Sequence, residues 1–203
     1  MAESDALFKL RELLELLELL GMLVTDPRTG VLLLLLAVAA VTDYRTFKIP
    51  NLLTGGGILF ALAYNTMVRP AMHTDWTWAP TGMLVGFGAM LPMYALRIMG
   101  AGDVKLMAMV GAFLGAAATV TALLFCVVTA GVAALAWAVS HRLLGAMLAN
   151  VHTILSGMLW SSIVSGRPQL QAGAPPSVGK LAYGVSIAVG TALYLVANQL
   201  NLV

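Results

Sequence analysis

The chain has 203 residues, of which 60% are hydrophobic and 10% charged, with a net charge of +2 and a mean hydropathy of +0.92. That balance excludes an ordinary soluble domain, and with no basic cluster it excludes a nucleic-acid partner. At about 20 apolar residues per crossing, the length fits roughly five to seven membrane helices, and a membrane barrel would need polar–apolar alternation that is missing here.

Residues 1–26 read as an extension ahead of the membrane domain. Glu12, Glu15 and Glu18 recur every three residues among leucines, which predicts an amphipathic helix lying at a surface. The acidic start lacks a basic region, so no cleavable signal peptide is expected. Residues 27–203 form the membrane domain. Asp26-Pro27 is a helix start signal. The first span runs from there through the apolar stretch Thr29–Val41, with Asp43 near its end, and Pro50 breaks the chain beyond it. Asn51 is expected to cap a second span reaching about Val68. The turn from Arg69 to Pro80 carries Trp76 and Trp78, read as an interfacial belt.

A third span covers about Thr81 to Met99, with Pro92 as a kink. A short fourth helix opens at Gly100-Ala101-Gly102-Asp103 and ends near Leu114. Gly115 marks a turn, and a fifth span runs from about Ala116 to Val139. Within it the lone Cys126 reads as a small packing residue. Residues 143–164 hold Asn150, His152 and several hydroxyl groups, and are expected to lie at the cytoplasmic interface rather than to span. The last span covers about Leu181 to Val203. The expected fold is thus an all-α integral membrane protein: a bundle of about six transmembrane helices, an N-terminal amphipathic helix and a cytoplasmic interfacial helix in the lipid bilayer.

With six spans, Arg45, Lys48, Arg97, Lys105, Arg142, Arg167 and Lys180 share one side, and Lys9, Arg11, Arg28 and Arg69 the other, a count of seven to four. The excess of positive charge makes the first side cytoplasmic and puts both termini on the outer side.

Of nine acidic residues, only Asp43, Asp75 and Asp103 lie beyond position 26. Asp75 falls in the polar outer turn and reads as solvated. Asp43 and Asp103 each sit at the end of an apolar helix, on the same expected side. An ionised Asp deep in a span costs roughly 2.5–3.5 kcal/mol, so such residues usually face the bundle interior, pair and mark function. The plainer readings are a local ion pair of Asp43 with Arg45 or Lys48, and a simple helix cap by Asp103. Gly100 and Gly102 weigh against a plain cap, because two glycines let another backbone or an extended substrate approach closely. Two carboxylates sharing one site cannot easily both ionise, which yields an acid and a base able to activate water against a peptide carbonyl without a metal. The helix dipoles favour the charge on Asp103, at an N-terminal end, and the proton on Asp43, at a C-terminal end.

The segment Thr42–Asn51, with Asp43, Ile49, Pro50 and Asn51, followed by Gly100, Gly102, Asp103 and Lys105, resembles the type IV prepilin peptidases, membrane aspartic proteases with a GxGD motif. Tyr183-Gly184 ahead of the last span resembles a late motif of that family, with Ala182 where a proline is more usual. The resemblance covers residues 27–203. It implies a catalytic pair, Asp43 and Asp103. It also implies motif or substrate-positioning roles for Gly100, Gly102, Lys105, Arg45, Lys48, Pro50, Asn51, Tyr183 and Gly184. The implied partner is a type IV pilin-like precursor, cut at the cytoplasmic face of the bacterial inner membrane. Larger members carry a cysteine-rich insert and methylate the new terminus. This chain has one cysteine and is similar to the short form of tight-adherence (Flp) pilus systems, so neither methylation nor any cofactor or zinc is expected.

Arg45, Lys48 and Lys105 also read simply as orienting charges. His73, His141 and His152 are scattered and form no ligand set. Two other readings stand beside the prepilin one. A presenilin-like or signal-peptide-peptidase-like protease would carry Tyr before the first Asp and a late Pro-Ala-Leu; here the order is Asp43-Tyr44, and Pro-Ala-Leu is missing. A non-enzymatic transporter or assembly scaffold would place its ionisable groups nearer the membrane midplane.

Overall fold

The computed structural model describes residues 26–68, 75–96, 98–145 and 182–203, together with the single residues 21, 149, 152 and 156. The expected N-terminal amphipathic helix, most of the interfacial helix over 143–164, and Arg97, Arg167, Lys180 and His73 lie outside the described residues.

The ordered elements are α1 (Pro27–Thr46), α2 (Asn51–Val68), α3 (Trp78–Ala95), α4 (Ala101–Leu114), α5 (Ala116–Ser140) and α6 (Tyr183–Gln199), with no strand among the described residues. α1 begins as its sequence dictates: the Asp26 side chain caps it by accepting from the Arg28 N–H at 3.1 Å, and Pro27 occupies the first turn. It ends with Phe47 in the left-handed region, whose N–H closes back on the Asp43 carbonyl at 2.8 Å.

α2 departs from the expectation in how it is capped. Pro50 supplies the first carbonyl, accepting from the Leu53 N–H at 3.1 Å, while Asn51 is already helical. α3 starts three residues earlier than expected and ends four residues earlier. Pro80 fits its first turn, where no intrahelical N–H is needed, and Pro92 falls in its last turns, close to where the helix stops. The Trp78 ring lies beneath the Arg28 guanidinium, 4.9 Å from centroid to charge, and against Gly115. Trp76 is exposed.

α4 is the centre of the bundle and packs against each of the other five helices. Val104 and the whole stretch from Leu106 to Phe113 are buried, as expected of a helix that is apolar all round. Its closest neighbour is α3. Gly82 and Gly86 of α3 meet the Gly111 and Met107 carbonyls so closely that a Cβ would not fit, the small-residue contact by which apolar helices gain packing area.

The outer surface is apolar and part of the interior is polar. On α5, Val120, Leu124, Val128, Val132, Leu135 and Val139 are exposed, whereas Thr54, Asn65, Thr119, Ser186 and Thr191 are buried. Hydroxyls inside the bundle bond to backbone carbonyls, as Thr129 does to Ser186 at 2.9 Å. α1, with 20 residues, and α5, with 25, are each long and apolar enough to cross a membrane. α4 has 14 residues, and at 1.5 Å per residue it falls short of a hydrocarbon core about 30 Å thick.

Candidate active site

The helix directions gather one end of the bundle: the C-terminal ends of α1, α3 and α5 and the N-terminal ends of α2, α4 and α6. Asp43, one turn before the end of α1, is 5% exposed, and Asp103, in the first turn of α4, is 8% exposed.

Asp103 does cap its helix. Its Oδ2 accepts from the Gly100 N–H at 3.1 Å, while its own N–H donates to the Gly100 carbonyl at 3.2 Å. The plain cap is therefore real, and it fixes one carboxylate oxygen. Asp43 is held from farther away. Its Oδ2 accepts from the Gly184 N–H at 2.8 Å, and the Val185 N–H also points to it. These are free donors of the first turn of α6, so Asp43 stands at the positive end of that helix as well as at the negative end of its own. This contact adds a helix N-terminus at Asp43 to the one expected at Asp103.

The two acids are close enough to sense each other's charge, and Tyr183 lies within the same electrostatic reach of Asp103. Gly184 therefore touches Asp43 directly, and Tyr183 precedes it in the chain. Ile49 packs between the two glycine motifs. A Cβ on Gly102 would sit 3.2 Å from Ile49 Cβ, and one on Gly184 would sit 3.0 Å from Ile49 Cδ1. The extended link after α1 is thereby laid between the starts of α4 and α6. Ile49 was legible only as part of a motif; an isolated isoleucine between polar residues gives no chemical signal of its own.

The remaining motif residues divide. Lys105 Nζ donates to Asn51 Oδ1 at 2.9 Å and ties the start of α2 to α4. Pro50 starts α2. Arg45 and Lys48 are exposed, and among the described residues no ion pair joins either of them to Asp43, so the local ion-pair reading fails. Gly102 makes room for Ile49, but a Cβ on Gly100 would meet Asp103 Oδ2 at 3.5 Å and the Gly102 nitrogen at 3.9 Å, both ordinary contacts. The two glycines do not share the role read from their spacing. Among the described residues no three His, Cys, Asp or Glu side chains cluster as metal ligands.

The profile of the type IV leader peptidase family matches residues 30–139, a stretch that contains both acids and the central helix. The chain belongs to this family. Membership implies aspartic peptidase activity, and among residue types that activity draws on carboxylates, of which this end of the bundle buries two. Neither a curated protein nor a solved structure matches the chain.

Proposed function

We propose that this leader peptidase removes the leader of type IV, Flp-like prepilins at the cytoplasmic face of the inner membrane, with Asp43 and Asp103 sharing one catalytic water. The observation that supports this reading is that Ile49 packs against both Gly102, next to Asp103, and Gly184, whose N–H holds Asp43 at 2.8 Å. α1, α4 and α6 are otherwise separate in sequence.

The chemistry follows from the pair. The charged carboxylate takes a proton as the water oxygen attacks the scissile carbonyl carbon. The neutral carboxyl donates a hydrogen bond to the carbonyl oxygen, which becomes the hydroxyl of a tetrahedral intermediate. Collapse breaks the C–N bond: the departing amine takes a proton from the acid that received it, and a hydroxyl proton of the intermediate returns to the other carboxylate, leaving a carboxylic acid and restoring the singly protonated pair. Each carboxylate is held by backbone N–H groups, Asp43 by Gly184 and Asp103 by Gly100, which restricts its rotation. The single cysteine and the lack of an insert between the motifs favour the short, non-methylating form. The seven-to-four distribution of basic residues favours the cytoplasmic side for the acids.

Co-expression with a prepilin tests the reading. Asp43→Asn and Asp103→Asn are each expected to abolish processing at unchanged protein level. Processing that survives either change would refute the pair.

A further inference from the structure

A cavity of about 530 Å³ opens at the end of the bundle opposite the two acids, between Asp26, Arg28 and Leu32 at the start of α1, Phe113 at the end of α4, and Asn198 and Gln199 at the end of α6. Its volume is within the roughly 300–1,000 Å³ of pockets that take a small ligand. Leu32 and Phe113 give it a buried apolar floor, while Asp26 and Arg28 bring one charge of each sign to its wall.

Arg28 is held without being satisfied. Its guanidinium stands 4.9 Å over the Trp78 ring, and its Nε is 3.9 Å from Asp26 Oδ2, beyond hydrogen-bond distance. Its Nη1 is buried with no hydrogen-bond partner. A buried donor of a charged group left unpaired is costly, so the site favours an acceptor. Asp26 caps α1 by accepting from the Arg28 N–H at 3.1 Å and the Thr29 hydroxyl at 3.2 Å. An ionised carboxylate accepts more bonds than these, and the Asp26 side chain is 45% exposed. A purely anionic ligand would meet the Asp26 charge, and a purely cationic one would leave Nη1 unpaired. A ligand bearing both charges answers both groups.

We propose that this cavity binds a phospholipid head group carrying a phosphate and a primary ammonium, as in phosphatidylethanolamine. The phosphate pairs with Arg28, the ammonium with Asp26, and the glycerol end lies over Leu32 and Phe113. A lipid suits the site better than a soluble zwitterion because of that apolar floor. The cavity is also partly walled by Ala117 and Ala118 of α5, a helix whose exposed side is apolar at Val120, Leu124 and Val128. A quaternary ammonium has no N–H to give Asp26, and the Trp78 face that could hold it already lies beneath Arg28. In the orientation proposed above, this site is on the outer side, and it does not depend on the peptidase reading.

Native mass spectrometry of the whole protein in detergent tests the proposal, with phosphatidylethanolamine, phosphatidylglycerol and phosphatidylcholine as probes. The wild type is expected to hold the ethanolamine lipid about tenfold more tightly than the other two, the scale of one charge-assisted hydrogen bond. Asp26→Asn keeps a good capping residue but removes the charge, and should bring the ethanolamine lipid down to the level of the choline lipid. Arg28→Gln should weaken all three lipids, because each carries the phosphate. Melting temperatures in lipid-free detergent report whether each variant folds; should Arg28→Gln fail to fold, the preference measured in Asp26→Asn still decides. Equal retention of the three lipids by the wild type, or an undiminished preference in Asp26→Asn, would overturn the proposal. Soluble phosphoethanolamine that raises the melting temperature as much as the whole lipid would also overturn it, by assigning the site to a soluble zwitterion.

Discussion

Gly184, the second residue of α6, donates its backbone N–H to Asp43 Oδ2 at 2.8 Å, joining positions 141 residues apart. The contact requires glycine for steric reasons. A Cβ at this position would sit 2.8 Å from that oxygen and 3.0 Å from Asp43 Cγ, so the carboxylate would have to leave. Gly184→Ala is therefore expected to cut kcat/KM about a hundredfold or more, the scale of a misplacement near 1 Å at a reacting group. The protein should still fold, since alanine favours a helix over glycine. Processing rates and thermal melts on the purified variant check both halves.

Gly100 and Gly102 should separate under the same substitution. Gly100→Ala meets only ordinary contact, so activity should stay within about threefold of wild type. Gly102→Ala brings a Cβ to 3.2 Å from Ile49 Cβ and pushes the extended link away from the acids. Its activity should fall about tenfold while its melting temperature holds or rises, because the substitution removes a helical glycine worth up to about 1 kcal/mol; Gly100, the extended N-cap, offers no such gain. Equal losses in the two variants would contradict the geometry.

Much of this arrangement was legible in the sequence because membrane helices announce themselves. Apolar runs bounded by Asp26-Pro27, Pro50 and Gly115 locate α1, α2, α4 and α5 to within a residue or two, since breakers and caps act locally. The acids stood out because a carboxylate in an apolar run is costly. What could not be read is what depends on three-dimensional meeting. The sequence places Asp43 at a C-terminal helix end, and nothing near it reveals that the N-terminus of α6 will arrive there. Asn51 looks like a cap and instead accepts a bond from Lys105. Nothing near Trp78 in the sequence reveals that its ring will lie against Gly115.

The Lys105–Asn51 bond predicts coupling between two motif residues. It is exposed, at 2.9 Å, so each single change, Lys105→Met or Asn51→Ala, should cost only about 0.5–1.5 kcal/mol of stability. Its significance is positional, because it fixes the start of α2, and with it the Ile49 link, against α4. The double variant should be little worse than either single one, in melting temperature and in processing rate alike. Simple addition of the two losses would mean that the residues act separately.

The pH dependence follows from the requirement for one proton in the pair. Below the lower apparent constant both acids are protonated, and no base remains to activate water. Above the upper one both are ionised, and no acid remains to polarise the carbonyl. The rate should therefore be bell-shaped, falling about tenfold per pH unit on each limb, with both constants belonging to the pair rather than to one residue. Initial rates in detergent or liposomes, across buffers of matched ionic strength and with thermal melts at each pH, distinguish loss of activity from loss of fold. A single limb would mean that only one carboxylate changes state in the reaction. Chelator is expected to leave the profile unaltered, because the water in this scheme is activated by a carboxylate; a chelator-sensitive rate restored by added metal would reject the scheme.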